Sequence, residues 1–250
     1  MPSKPLSTPF ELSRTVTPKG YDQVVAFLSD QLRDGVLKVG DRLLPERELA
    51  LRLNIGRPLV REALRALAMI GVLEVQQGRG TFVRSPDFST LSNVFTFMFV
   101  QDGEELDDIM ELRQGIERQA IRLACQRART HDFEKIGAAL AEIHTTIDDA
   151  VKGGKADFDF HTRIVEASHS AALIKVYTII SRILQDNHVV RRRRIATTGQ
   201  LRDYILDHHD LLFRTLQRRD VEACEQALTE HFAIGEKLNN EGLGRVVDLA

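Results

Sequence analysis

The sequence predicts a mainly α-helical chain in two parts, with one small β-hairpin closing the first. Three observations carry this. Apolar residues recur at intervals of three, four and seven through most of the text, the mark of helices with one buried face. One short stretch alternates apolar and polar residues on either side of a Gly-containing tetrapeptide, which is a hairpin signal. Charge is also unevenly divided: of 34 Lys and Arg and 36 Asp and Glu, Met1 to Pro86 holds 13 and 9, a surplus of +4, and the remainder holds 21 and 27, a balance of −6. Two halves of opposite sign point to two jobs.

The first helix is read from Tyr21, Val24, Val25, Leu28 and Leu32, with Gly35 as its stop and Gly40-Asp41 as a turn. Pro45, expected at a first helical position, opens a second helix to Leu53, and Asn54-Ile55-Gly56 closes it. A third runs from Arg57 to Ile70, with Val60, Ala63, Leu64, Leu67 and Ala68 on one face, Arg57, Arg61 and Arg65 on another, and Gly71 at its end. The hairpin is Val72 to Gln76, then Gln77-Gly78-Arg79-Gly80, then Thr81 to Arg84.

Two short helices joined by a tight turn, with a helix before them and a hairpin after, describe a winged helix-turn-helix. In that geometry the N-terminal end of the third helix enters the major groove of DNA. Arg57 and Arg61 stand there, and a guanidinium can bridge guanine O6 and N7. Arg65, a turn further on, suits phosphate. Gln77, Gly78 and Arg79 form the hairpin tip, where glycine allows close approach to a groove. An exposed Arg stripe alone is usually just solvated; the hairpin in the right order after it is what favours DNA.

Gly40-Asp41-Arg42-Leu43, Pro45 to Ala50, Gly56 to Leu67 and Gln77 to Val83 together resemble the DNA-binding domain of the GntR family of bacterial repressors. The resemblance implies that Arg47, Arg57 and Arg61 contact DNA and that Gly78 sits at the wing tip. Gly56 departs from the usual Ser or Thr and offers no hydroxyl to a phosphate, and Pro58 and Leu59 depart as well.

Beyond Pro86 no strand pattern recurs. Leu106 to Ala128, Asp132 to Val151, Ala156 to Ser168, Ala171 to Ile195, Gln200 to Gln217 and Val221 to Leu238 all carry helical spacing. Gly153-Gly154, Thr197-Thr198-Gly199 and Arg218-Arg219-Asp220 are expected as turns of an all-α bundle. The expected division is a flexible tail over 1–17, the winged domain over 18–86, a linker with a connecting helix over 87–104, an effector-binding and dimerisation bundle over 105–240, and a tail over 241–250.

Composition agrees with a folded, cytosolic protein: 250 residues, 43% hydrophobic and 28% charged. No apolar run approaches the roughly 18 to 20 residues of a membrane span; Val94 to Val100 is too short and broken by Thr96. Cys125 and Cys224 lie in helix-like text and read as reduced core thiols, which excludes a disulfide-stapled secreted scaffold.

Histidine is sparse, with 8 in the chain. Asp157 and His161, four apart on one helix, could converge on a metal ion, and two further helices supply His208 or His209, and His231. An isolated pair of this kind also arises by chance, and a helical histidine is more often a core residue with satisfied bonds.

Glu111-Leu112-Arg113 with Glu117, Asp157 to His161 continuing to His169, and His209 through Asp220 to His231 resemble the FCD effector domain of the FadR-type subgroup. His161 and His209 stand 48 apart and Asp220 lies 11 from both His209 and His231, spacings that agree with the family's, so the resemblance sets His208 aside. The resemblance implies Asp157, His161, His209 and His231 as metal ligands and Arg113 as the partner of an effector carboxylate. Ser170 departs from the usual Asn. One carboxylate and three imidazoles suit Zn or Ni; octahedral coordination leaves two positions for a 2-hydroxy or sugar acid, whereas a tetrahedral zinc would be closed and structural. Arg191 to Arg194 cover all azimuths of a helix and read as mostly solvated, with one reaching the effector pocket.

These readings converge on a homodimeric repressor that leaves a pseudo-palindromic DNA operator when a small carboxylate binds. One alternative is a metal-dependent hydrolase or lyase with an accessory domain, using Glu117 or His169 as general base. Another is a regulator answering to a fatty acyl-CoA without metal.

Overall fold

In the computed structural model, which describes residues 20–85, 88–102, 106–194 and 199–233, the chain forms two compact units, Met1–Thr90 and Leu91–Ala250. The division falls a few residues beyond the expected boundary at Pro86.

The first unit contains α1 (Tyr21–Arg33), α2 (Glu46–Leu53), α3 (Arg57–Met69), β1 (Leu73–Gln76) and β2 (Gly80–Val83). Pro45 is the N-cap of α2 rather than its first residue, with φ −56° and ψ 146°, and Asn54 ends the helix in the left-handed region at φ 52°. Gly56 caps α3 from an extended conformation without a side-chain bond. Pro58 follows within the first turn, where a missing N–H costs nothing. Val24, Leu28, Leu49, Val60, Leu64, Leu67, Leu73 and Val83 meet in one core.

The hairpin runs antiparallel, from Leu73 opposite Val83 to Gln76 opposite Gly80. Gly78 takes φ 74° in the turn. Gly80 takes φ 112°, and a Cβ there would come within 2.7 Å of Arg42 Nε. The segment before α2 lies along the second strand: Leu43 N donates to Thr81 O at 2.8 Å and Val83 N to Asp41 O at 2.9 Å. The wing is therefore tied to the chain that leads into the helix-turn-helix.

The second unit holds the rest of α4 (Ser89–Asp102), then α5 (Leu106–Arg127), α6 (Thr130–Thr146), α7 (Ala150–Ala167), α8 (Ala171–Arg194) and α9 (Gly199–Arg218). A last helix, α10, is described from 221 to 233. Helix α7 packs against α5, α6 and α8, so its residues reach the middle of the bundle. One core joins Ile121, Ile136, Ile143, Phe160, Ile164, Leu212, Leu216 and Leu228. A second joins Ile116, Val165, Tyr177, Ile180 and Leu184.

Gly153-Gly154, expected as a turn, lies inside α7 instead. Asp149 caps the helix by accepting from Val151 N and Lys152 N, so the break comes at 147–149 and α6 ends earlier than expected. The glycines are there for space. A Cβ on Gly153 would lie 2.8 Å from the Thr146 carbonyl oxygen, and one on Gly154 would lie 3.0 Å from the Val189 backbone of α8.

The turn at Arg218-Arg219-Asp220 is found. Arg219 adopts φ 59° and donates to the carbonyls of Cys125 at 2.7 Å and Ala128 at 2.5 Å, fastening the α9–α10 turn to the end of α5. Cys125 and Cys224 are free, buried thiols with their Sγ atoms 3.3 Å apart. No helix among the described residues is long and apolar enough to cross a membrane. The expected tails, residues 195–198 and the side chains of Arg191 to Arg194 lie outside the described residues.

Candidate functional site

In the first unit, Arg47, Arg57, Arg61 and Arg65 are all exposed, as are Gln77, Gly78 and Arg79 at the hairpin tip. Arg47, Asn54, Gly56 and Arg57 line one open groove between the end of α2 and the start of α3. At the first turn of α3, Pro58 has no N–H and Leu59 N donates to Gly56 O at 3.0 Å, so it is the helix dipole that favours anions at that end. Arg65 pairs with Glu62 on its own helix at 3.4 Å. Arg61 is engaged: its Nε and Nη2 donate to the Glu46 carboxylate at 3.1 and 3.0 Å. That hydrogen bond and the charge of Glu46 raise the Arg61 guanidinium above its ordinary value. A base contact by Arg61 therefore requires exchanging Glu46 for the DNA.

In the second unit the sequence-selected set comes together. Asp157 and His161 from α7, His209 from α9 and His231 from α10 offer donor atoms that all lie within 4.8 Å of one another. His161 Nε2 is 3.1 Å from His231 Nε2 and 3.5 Å from Asp157 Oδ1, and His209 Nε2 is 3.6 Å from the same oxygen. The i,i+4 spacing puts Asp157 and His161 on one face of α7, and two further helices deliver the remaining rings.

The ring tautomers follow from the outer bonds. His161 Nδ1 stands 2.6 Å from Glu117 Oε2, and His209 Nδ1 stands 2.7 Å from the Ile205 carbonyl. Neither partner has a hydrogen to give, so each Nδ1 donates and each Nε2 presents a lone pair to the cluster. Metal-binding histidines are oriented in this way. His209 Nε2 is buried with no hydrogen-bond partner among the described residues. These residues could hold a divalent metal ion.

Behind the cluster, Glu117 of α5 accepts from Arg113 Nε at 2.5 Å and from Tyr177 Oη at 2.8 Å. Burial alone would raise the Glu117 carboxyl; the Arg113 charge and then the His161 ring outweigh it and hold it at about 2. Burial pulls the Arg113 guanidinium down, but the Glu117 carboxylate leaves it above its ordinary value. Arg113 is 2% exposed, lies 5.1 Å from the centre of the Phe232 ring, and keeps Nη2 buried without a partner among the described residues.

Asp157 is pushed up by burial, yet His188 and His209 hold it well below the usual carboxylate range. Burial lowers His161 and His231, the latter well below its ordinary value. Burial and then the Arg113 charge push His188 down to about 4.

His208, set aside in favour of His209, lies against Tyr204 with ring centres 4.3 Å apart and the planes tilted by 47°. His169, considered as a general base, pairs with Asp132 at 2.8 Å and is not among the clustered donors. Glu117, the other candidate base, is engaged by three donors. Sequence reasoning missed His188 and Tyr177. Their signal was present: Tyr177, Ile180, Leu184 and His188 follow one helical stripe of α8, so a polar residue stands on an otherwise apolar face.

Residues 108–233 match the FCD domain, and residues 20–83 match the bacterial regulatory proteins of the gntR family. The chain is 26% identical over 201 residues to the HTH-type transcriptional regulator LutR of Bacillus subtilis (strain 168), covering 80% of this chain and 92% of that protein. It is 30% identical over 183 residues to an uncharacterized HTH-type transcriptional regulator of Mycobacterium tuberculosis, covering 73% of each. Among solved structures, Streptococcus agalactiae GntR superposes with a TM-score of 0.64 at 22% identity, covering 87% of this chain and 99% of that one. The last likeness concerns the fold alone.

Proposed function

Since the chain belongs to the GntR family of bacterial regulatory proteins and carries an FCD domain, we propose that it is a cytosolic, dimeric repressor whose grip on DNA is set by a small carboxylate at a metal site in the second unit. In this reading Arg47, Arg57, Arg61 and Arg65 and the tip Gln77-Gly78-Arg79 meet a pseudo-palindromic operator. Asp157, His161, His209 and His231 would hold the cation, which supplies a Lewis-acidic anchor for an oxygen ligand. Arg113 Nη2 would take the effector carboxylate.

One observation supports the reading: inward-facing Nε2 lone pairs on His161 and His209, beside Asp157, are joined through Glu117, which accepts from both His161 and Arg113, to a buried guanidinium whose Nη2 has no partner among the described residues. A closed structural zinc explains the four donors but leaves Arg113 Nη2 without purpose. A hydrolase would need a free base, and Glu117 is fully engaged.

The test takes DNA selected from a random pool by the full-length protein and follows its anisotropy while small carboxylic acids are added, with zinc or with chelator. An acid that weakens DNA binding only when metal is present is the expected result, and DNA must then weaken acid binding by the same factor. Arg57→Ala should abolish specific DNA binding and leave acid binding intact. Acids that neither alter melting nor release DNA in the zinc-loaded protein overturn the effector assignment, and unchanged DNA affinity in Arg57→Ala overturns the DNA-reading one.

A further inference from the structure

The first turn of α3 carries two residues that the proposed function leaves without a role. Pro58 and Leu59 are both exposed, Leu59 to 45%, and they stand between Arg57 and Arg61 on the helix that enters the operator in that reading. A single leucine on a surface is ordinary. This pair differs, because between the two guanidiniums it offers hydrocarbon and no hydrogen-bond donor. Pro58 has no N–H, Leu59 N donates to Gly56 O at 3.0 Å, and Gly56 has no hydroxyl. The pair is also held in place. Pro58 lies in the first turn, where its ring fixes the backbone. Leu59 rests against Gly20 at the start of α1: a Cβ added to Gly20 would stand 3.0 Å from both Cβ and Cδ1 of Leu59.

In its major groove DNA presents donors, acceptors and one kind of apolar group, the methyl on C5 of thymine. A side chain without donor or acceptor gains from contact with that methyl, and it loses by covering any of the polar groups unpaired. We propose that Pro58 and Leu59 read a 5-methylpyrimidine, so that each half-site of the operator carries a thymine whose methyl packs on this surface, beside the purines met by Arg57 and Arg61. The methyl is wet in free DNA and shielded from water in the complex, and burying a group of that size changes affinity by roughly fourfold. This inference rests on the DNA reading proposed above and adds a base that a guanidinium does not specify.

The test takes DNA selected from a random pool by the full-length protein and replaces its thymines by deoxyuridine one at a time, which deletes the methyl and leaves every hydrogen-bonding edge unchanged. Wild type should lose about three- to fivefold in affinity at one thymine of each half-site and almost nothing elsewhere. At that position 5-methylcytosine should bind more tightly than cytosine by a similar factor, each paired with guanine. The double variant Pro58→Ala, Leu59→Ala keeps both arginines and removes the surface, so it should bind thymine and deoxyuridine probes alike. Alanine suits the helix, and an unchanged salt slope of DNA binding checks that the phosphate contacts survive. Each single alanine variant should show part of the loss, so the attribution does not depend on the double variant's stability.

A selected site without thymine, or a wild type indifferent to every deoxyuridine, overturns the inference. Variants that discriminate thymine from deoxyuridine as wild type does also overturn it, because another group would then read the methyl. If wild type selects no sequence from the pool, or Arg57→Ala binds the selected DNA unchanged, it is the DNA reading itself that falls.

Discussion

Glu117→Gln is the perturbation that most directly separates the buried scaffold from the donors it orients. The substitution keeps the shape, removes the charge and turns one of two acceptors into a donor. Glu117 receives three hydrogen bonds, from Arg113 and Tyr177 on Oε1 and from His161 on Oε2. A glutamine oxygen can face only one side, and the side with two donors, one of them charged, wins. The amide nitrogen then faces His161 Nδ1, which must pass its hydrogen to Nε2. The lone pair facing Asp157 and His231 is lost.

Changing an outer partner of this kind costs roughly 10- to 100-fold in metal affinity, or about 1.4 to 2.7 kcal/mol. Leaving Arg113 buried without its counter-charge costs a further ~3 to 5 kcal/mol of stability. Typical stabilities of about 5 to 15 kcal/mol can absorb that loss. Zinc affinity is read by competition with a chromophoric chelator at pH 7.5, and stability by urea unfolding with chelator present. Tyr177→Phe is the control, because it removes one bond to the same carboxylate without inverting His161, and its zinc affinity should stay within about threefold of wild type. A Gln variant with wild-type zinc affinity would refute the claim that Glu117 sets the His161 tautomer.

Other outcomes follow from the packing and the charges. Gly154→Val should destabilise by about 1 to 3 kcal/mol, because its Cβ must displace the Val189 backbone; Gly115→Ala, with nothing within 4 Å of the new atom, should stabilise by roughly 0.5 to 1 kcal/mol through helix propensity, and thermal melting checks both. Without metal, the protein should lose stability as pH falls from about 6.5 toward 4. Buried His161, His188 and His231 resist protons that the unfolded chain accepts near its ordinary value. Stability is therefore full above that value, and a urea midpoint no lower at pH 5 than at pH 7.5 contradicts the burial argument. Glu46→Gln frees Arg61 and should raise DNA affinity by up to about fivefold, the worth of an exposed ion pair; a fall in affinity would mean that Glu46 positions Arg61 rather than competing for it.

The elements were legible because their signals are local. Apolar periodicity located every helix named from the sequence, and the alternation around Gln77 to Gly80 located the hairpin. Gly153-Gly154 misled because glycine makes turns through its backbone freedom and close helix contacts through its missing side chain, and only the position of α8 distinguishes the two uses. The clustered donors were legible as residue types, with the choice of His209 over His208 coming from the resemblance, but their convergence depends on how α7, α9 and α10 pack. Glu117 stood out in the resemblance without a role, since its work is to connect Arg113, Tyr177 and His161 across three helices. His188 was overlooked because neighbouring arginines drew attention to charge along α8 rather than to the stripe on which the ring lies.

The groups gathered around Glu117 and Asp157 are widely scattered in sequence, from Arg113 on α5 to His231 on α10. No short segment contains more than two of the four clustered donors. Contacts of such long range cannot form until the intervening chain has been ordered, and closing that loop is the entropically slow part of folding. Assembly of this pocket therefore belongs to the end of the bundle's folding, and the nascent chain can offer at most the Asp157–His161 pair to a passing cation. In the proposed function, a signal from this site to DNA comes only from molecules whose second unit is already complete.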